Sequence, residues 1–150
     1  MRYICFRFSL GTFCMKKQIL YVEDDGDMLE VVAEFMQFED YHVITDGGKS
    51  IDKKIKQHAF GLILLDENLN WGWGSDLCRV LKSDEKTANI PVVLISAIRN
   101  IDEIAEQCGA DAYIRKPFDI YDVIDVVNEH YLDPPTITQA GQPASGTTID

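Results

Sequence analysis

Four short strand-like runs, each closed by polar or charged residues, constrain this chain more than any other feature. Ile19-Leu20-Tyr21-Val22 runs into Glu23-Asp24-Asp25, and Leu62-Ile63-Leu64-Leu65 into Asp66. Val92-Val93-Leu94-Ile95 runs into Ser96-Ala97, and Tyr113-Ile114-Arg115 into Lys116-Pro117. These runs read as strands, and the near-continuous apolar character of residues 62–66 fits burial on both faces. In an open parallel sheet the C-terminal ends of the strands share one crevice. Carboxylates, a hydroxyl and a lysine are therefore expected to meet at one edge of the fold.

Strands are expected at residues 18–23, 41–45, 62–66, from Pro91 onward and at 112–115. Helical spacing fills the intervals. The first helix carries Met28, Val31, Val32 and Phe35 on one stripe, and a polar helix follows Gly47-Gly48 through Gln57. A third helix, at residues 75–82, turns Leu77, Val80 and Leu81 inward. The fourth presents Ile101, Ile104, Ala105 and Cys108, with Gly109 as its C-cap, and the last presents Ile120, Val123, Ile124 and Val127. Strand and helix thus alternate five times with short connections. The expected class is α/β: a five-stranded parallel sheet flanked by five helices, a flavodoxin-like doubly wound (βα)5 fold.

The chain has 150 residues, enough for one domain with a real core. A net charge of −11 argues against a free-standing nucleic-acid binder. No apolar stretch reaches the length of a membrane span. Cys5, Cys14, Cys78 and Cys108 show neither CxxC pairing nor zinc spacing, which fits a reducing, cytoplasmic setting. Residues 1–14 are apolar and basic and look foreign to the rest. Met15, directly before Lys16-Lys17, reads as the true start; a signal peptide and an added strand or interfacial anchor are the rival readings. The domain is assigned to residues 15–132. Asp133-Pro134-Pro135 stops the last helix, and residues 133–150 read as a disordered tail.

The strand-end residues suit Mg²⁺-assisted phosphoryl transfer. Such a reaction concentrates negative charge on one small centre, so the protein must supply a nucleophile and neutralise charge. Asp66 is the candidate nucleophile. Mg²⁺ prefers oxygen ligands. Asp24 and Asp66 can offer carboxylates, Asn68 its backbone carbonyl, and Glu23 a carboxylate directly or through water. Lys116 can pair with an acyl-phosphate oxygen, and the Ser96 hydroxyl can donate to another.

Residues 18–132 resemble the receiver domain of two-component response regulators, in the manner of a single-domain, chemotaxis-regulator-like protein. The marks are Val22-Glu23-Asp24-Asp25, Leu65-Asp66 with Asn68, Gly74, Ser96-Ala97, the segment from Gly109 through Tyr113, and Lys116-Pro117-Phe118. The resemblance implies that Asp66 accepts phosphate from a histidine kinase or histidine phosphotransfer protein. It implies Mg²⁺ at Glu23, Asp24, Asp66 and the Asn68 carbonyl, and Ser96 with Tyr113 as a switch pair. It implies a cis peptide at Lys116-Pro117. It also implies a regulator that acts on an unidentified downstream protein or passes the phosphate on in a relay, catalysing no more than its own phosphorylation and dephosphorylation. Asn70 stands where the family commonly has proline, so a looser loop is expected after Asp66. Trp71 and Trp73 in that loop are unusual; covering the site, greeting a partner and plain loop packing are the readings they allow.

Two other classes are weaker. A haloacid-dehalogenase-like phosphatase needs an acid two residues after its nucleophile, where Asn68 stands. An FMN carrier needs a phosphate-binding loop after the first strand, where three acids would repel the phosphate.

Overall fold

The computed structural model describes residues 5–8, 11–14 and 16–135. Its centre is one parallel sheet. β3 (Lys17–Val22), β4 (Tyr41–Asp46), β5 (Leu62–Asp66), β8 (Val92–Ser96) and β9 (Ala112–Arg115) lie in the order β4-β3-β5-β8-β9. The chain therefore reverses its winding direction beside β3 and β5, and a crevice opens there at the carboxyl ends. Two small antiparallel pairs complete the strands. β1 (Cys5–Phe8) pairs with β2 (Gly11–Cys14) in a sheet of its own, and β6 (Asn68–Leu69) pairs with β7 (Gly72–Trp73).

Strand alternation divides the core between the two faces. Leu20, Val22, Ile63, Leu65 and Leu94 pack with Ile51 of α2 (Ile51–Gln57), Cys78 and Leu81 of α3 (Gly74–Ser83), and Ile101 and Cys108 of α4 (Ile101–Cys108). On the other face, Ile19, Tyr21, Leu64, Val93 and Ile95 pack with Val32 and Met36 of α1 (Gly26–Phe38) and Val123, Ile124 and Val127 of α5 (Ile120–His130). The central strands β5 and β8 are buried along their whole length, as their unbroken apolar runs require.

The helix faces differ from the sequence expectation at three places. In α1 the buried residues are Val32 and Met36, while Val31 and Phe35 point outward with Phe38. In α3 the buried stripe is Gly74, Ser75, Cys78 and Leu81, and Val80 is 62% exposed. Gly109 does end α4 in the left-handed conformation, φ 78°. Cys78 and Cys108 are free and buried, as small core residues. The expected disordered tail lies, from residue 136 on, outside the described residues. Among the described residues no helix is long and apolar enough to cross a membrane.

The end of β4 is held by a buried acid. Asp46 accepts the Gly48 N–H at 2.6 Å and the Ser50 N–H at 3.3 Å, and Lys54 pairs with it at 2.8 Å. Burial pushes its carboxyl pKa up, but these donors outweigh burial and hold it below the usual aspartate value. An aspartate depressed in the folded state stabilises the fold above its unfolded pKa. That stability is lost as pH falls through the folded value. Asp46→Asn is therefore expected to flatten the acid side of the stability curve below about pH 4, read by urea unfolding across pH. A variant curve parallel to wild type would contradict this.

Candidate phosphoacceptor site

Asp66 closes β5 and is 3% exposed; Glu23 follows β3 and is 2% exposed. Lys116 reaches over both from the turn after β9. Its ammonium donates to Asp66 Oδ1 at 2.7 Å and to Glu23 Oε2 at 3.1 Å. The other Glu23 oxygen accepts the backbone N–H groups of Asp24 and Asp25, at 3.0 and 3.2 Å. The Lys116-Pro117 peptide is cis.

One cation thus serves two buried carboxylates. Burial raises the Glu23 pKa, and the charge of Asp66 adds to that against the opposing Asp25 N–H and Lys116. Burial lowers the Lys116 pKa, but its hydrogen bond to Asp66 and the charges of Asp66 and Glu23 prevail and raise it. Close by, the Tyr21 hydroxyl is buried without a hydrogen-bond partner among the described residues. Its pKa is pushed far upward, first by burial and then by Glu23, Asp66 and Asp25. The crevice is electronegative beyond what Lys116 neutralises.

The other expected residues stand around this centre. Asp24 does not face it alone: its Oδ2 accepts the Asn70 N–H at 2.6 Å. Asp25 caps α1, accepting from the Asp27 and Met28 N–H groups. Ser96 ends β8, buried; its Oγ accepts the Ile98 N–H at 3.1 Å and its carbonyl accepts the Lys116 N–H at 2.8 Å. Tyr113 is 39% exposed, with the Arg115 guanidinium 5.3 Å from its ring centre. Arg115 in turn donates to the Arg99 carbonyl at 2.6 Å and pairs with Asp102 at 3.2 Å, at the start of α4.

The segment after Asp66 is not a loose loop. Asn68 pairs with Trp73 and Leu69 with Gly72, leaving a two-residue turn at Asn70-Trp71. Asp24 holds that turn on one side. On the other, the Trp71 indole donates to the Gly47 carbonyl at 2.8 Å. Gly48 accepts the ring above it because it lacks a Cβ, which would overlap the indole, and its φ of 101° suits only glycine. At the hairpin's far end Gly74 lies so close to the acceptor that a Cβ would overlap the Asp66 carbonyl. These ties join residues 24, 47 and 70–71, distant in sequence, and no local pattern announces them.

The donor set is the right chemistry for a hard divalent cation: carboxylates of Asp24, Asp66 and Glu23 and the carbonyl of Asn68. The surplus of carboxylates, Glu23, Asp24 and Asp66, over the single Lys116 ammonium favours one. Among the described residues no three acidic, histidine or cysteine side chains stand ready-grouped around a metal position. Asp24 and Glu23 are turned to backbone N–H groups and Lys116 instead.

The family model "Response regulator receiver domain" matches residues 19–128, and the chain belongs to that family. The phosphoacceptor switch is general to it, and its members act as regulators rather than as classical enzymes. The response regulator ArlR of Staphylococcus aureus is 35% identical over 111 residues, covering 71% of this chain and 49% of that protein. The chain thus spans about half the length of the curated relatives it matches. Among solved structures, the BeF3-activated receiver domain of DrrB is 27% identical, with a TM-score of 0.66 over 77% of this chain and 97% of that one. The same protein, described as a Thermotoga maritima OmpR/PhoB homolog, gives 26% identity and a TM-score of 0.69 over 77% and 52%. The chemotaxis regulator CheY4 of Vibrio cholerae, at 18% identity, shares the fold with a TM-score of 0.69 over 77% and 98%. Receiver domains generally bind Mg²⁺ at the phosphorylation site, and the family works with histidine kinases and downstream targets.

Proposed function

We propose that Asp66 accepts a phosphoryl group from a histidine kinase or phosphotransfer protein. The product either switches a partner-binding surface or passes the phosphate on in a relay. The observation that carries this is the single lysine shared by two buried carboxylates at the strand ends. An Asp66 carboxylate oxygen attacks phosphorus. The P–N bond of a phosphohistidine donor breaks, and its electron pair leaves on the imidazole, which takes up a proton. Lys116, already 2.7 Å from Asp66, follows the growing charge on the transferred oxygens. The Ser96 hydroxyl turns from the Ile98 N–H to donate to a phosphoryl oxygen. Mg²⁺, held by Glu23, Asp24, Asp66 and the Asn68 carbonyl, supplies charge neutralisation when bound.

Ser96 and Tyr113 form the proposed switch. Arg115 supports this, because it spans the Tyr113 ring, the Arg99 carbonyl and Asp102. A shift of the segment after Ser96 reaches the exposed face of β9 and α4 through that side chain. A cytoplasmic setting accompanies the reading.

The test is incubation with a small acyl-phosphate donor, with Mg²⁺ or with chelator, followed by intact mass and hydrogen exchange. One phosphoryl group in Mg²⁺ alone, with altered exchange around α4 and β9, is expected. Uptake indifferent to metal contradicts the cation site, and unaltered exchange contradicts the switch.

A further inference from the structure

Glu67 directly follows the acceptor. A charged residue opening a loop belongs in solvent, yet Glu67 is 2% exposed. A buried carboxylate needs hydrogen-bond donors. Both come from one residue: the Ser75 N–H donates to Oε2 at 2.7 Å, and the Ser75 hydroxyl donates to Oε1 at 2.8 Å. The backbone of Glu67 is equally committed. Its N–H donates to the Ile95 carbonyl at 3.0 Å, and its carbonyl accepts the Gly74 N–H at 2.9 Å. Helix α3 starts at Gly74 with Trp73 in the capping position, and Trp73 supplies no side-chain cap. The Glu67 carboxylate fills that role from across the hairpin, at the positive end of the helix dipole.

The geometry points to Glu67 as a positioning residue for phosphoryl transfer. It clamps the peptide after Asp66 to the first turn of α3. The Asp66 carboxylate and the Asn68 carbonyl are then presented together to the incoming group and its cation. The inference rests on Asp66 being the acceptor.

The test measures initial phosphoryl uptake from a small acyl-phosphate donor across Mg²⁺ concentrations, by intact mass, well below each protein's Tm. The proteins are the full chain as wild type, Glu67→Ala, Glu67→Gln, Ser75→Ala and Thr87→Val. Thr87→Val is the control for stability alone: it removes the buried bond from Thr87 Oγ1 to the Leu81 carbonyl, at the far end of α3. Glu67→Ala is expected to slow uptake about ten- to a hundredfold, the scale of a small misplacement of a reacting group, and to raise the Mg²⁺ needed. Glu67→Gln should keep both near wild type, since an amide accepts from the Ser75 N–H and donates to its hydroxyl. Ser75→Ala should lose less, in the same direction, and Thr87→Val should lower Tm alone. A Glu67→Ala protein with wild-type uptake and Mg²⁺ dependence overturns the inference, as does a Thr87→Val protein equally slowed. Should Glu67→Ala fail to fold, unchanged uptake in Ser75→Ala overturns it. Wild type taking up no phosphate would instead remove the acceptor reading, and this inference with it.

Discussion

Asp66→Asn is expected to lose phosphoryl uptake by on the order of 10³-fold or more while keeping wild-type stability or gaining some. The amide has no anionic oxygen to attack phosphorus, so the chemistry stops. The fold should not suffer. Lys116 retains Glu23 at 3.1 Å, and the variant removes one of two buried negative charges that share this cation. Asp66 also helps to raise the Glu23 pKa, so the substitution relieves that strain. Urea unfolding and phosphoryl uptake on the same preparation separate the two effects. A variant that loses uptake only because it unfolds would contradict this reading.

Lys116→Met is expected to damage both stability and chemistry. It leaves Glu23 and Asp66 buried without their cation, a cost of about 1–3 kcal/mol near neutral pH. The loss has a definite pH dependence. Without Lys116, the Glu23 pKa rises further above its unfolded value, so the folded state binds more protons than the unfolded chain. Stability then falls as pH climbs from the ordinary glutamate value through the raised one, and the variant recovers in acid. Uptake should fall about 10²- to 10³-fold, the usual cost of removing a group that stabilises developing charge. Combining Lys116→Met with Asp66→Asn should restore part of the lost stability, with a coupling of about 0.5–3 kcal/mol, since Glu23 still lacks its cation. Strictly additive effects would show that the 2.7 Å pair does not act as a unit.

The sheet and the position of the site were legible because their signals are local. The central strands are unbroken apolar runs, and Glu23, Asp66, Ser96 and Lys116 each stand at or just past the end of a strand. The helix faces were less legible. Helix α1 carries Met28, Leu29, Val31, Val32, Phe35, Met36 and Phe38, enough apolar residues for two stripes. Packing against Ile19, Tyr21 and α5 selects Val32 and Met36, and propensity alone does not distinguish them. Val80 misled because it adjoins Leu81, yet it lies two positions past Cys78, off the buried stripe.

The expected loose loop is a hairpin because its ties are long-range, from Asp24 to Asn70 and from Gly47 to Trp71. Glu67 escaped notice for a related reason. An acid in a polar loop reads as solvated, and its partner lies eight residues on. The available hint was a helix start with tryptophan in the capping position, which leaves N–H groups wanting an acceptor.

The central claim is that the phosphoryl group resides on Asp66. The direct test is to phosphorylate the wild-type chain in Mg²⁺, reduce it with borohydride, which converts an aspartyl phosphate to the alcohol, and locate the change by peptide mass spectrometry. Reduction at Asp66 alone is the predicted result. Reduction at Asp24 or Asp25, or a phosphate found on His42, His58 or His130 instead, would contradict it.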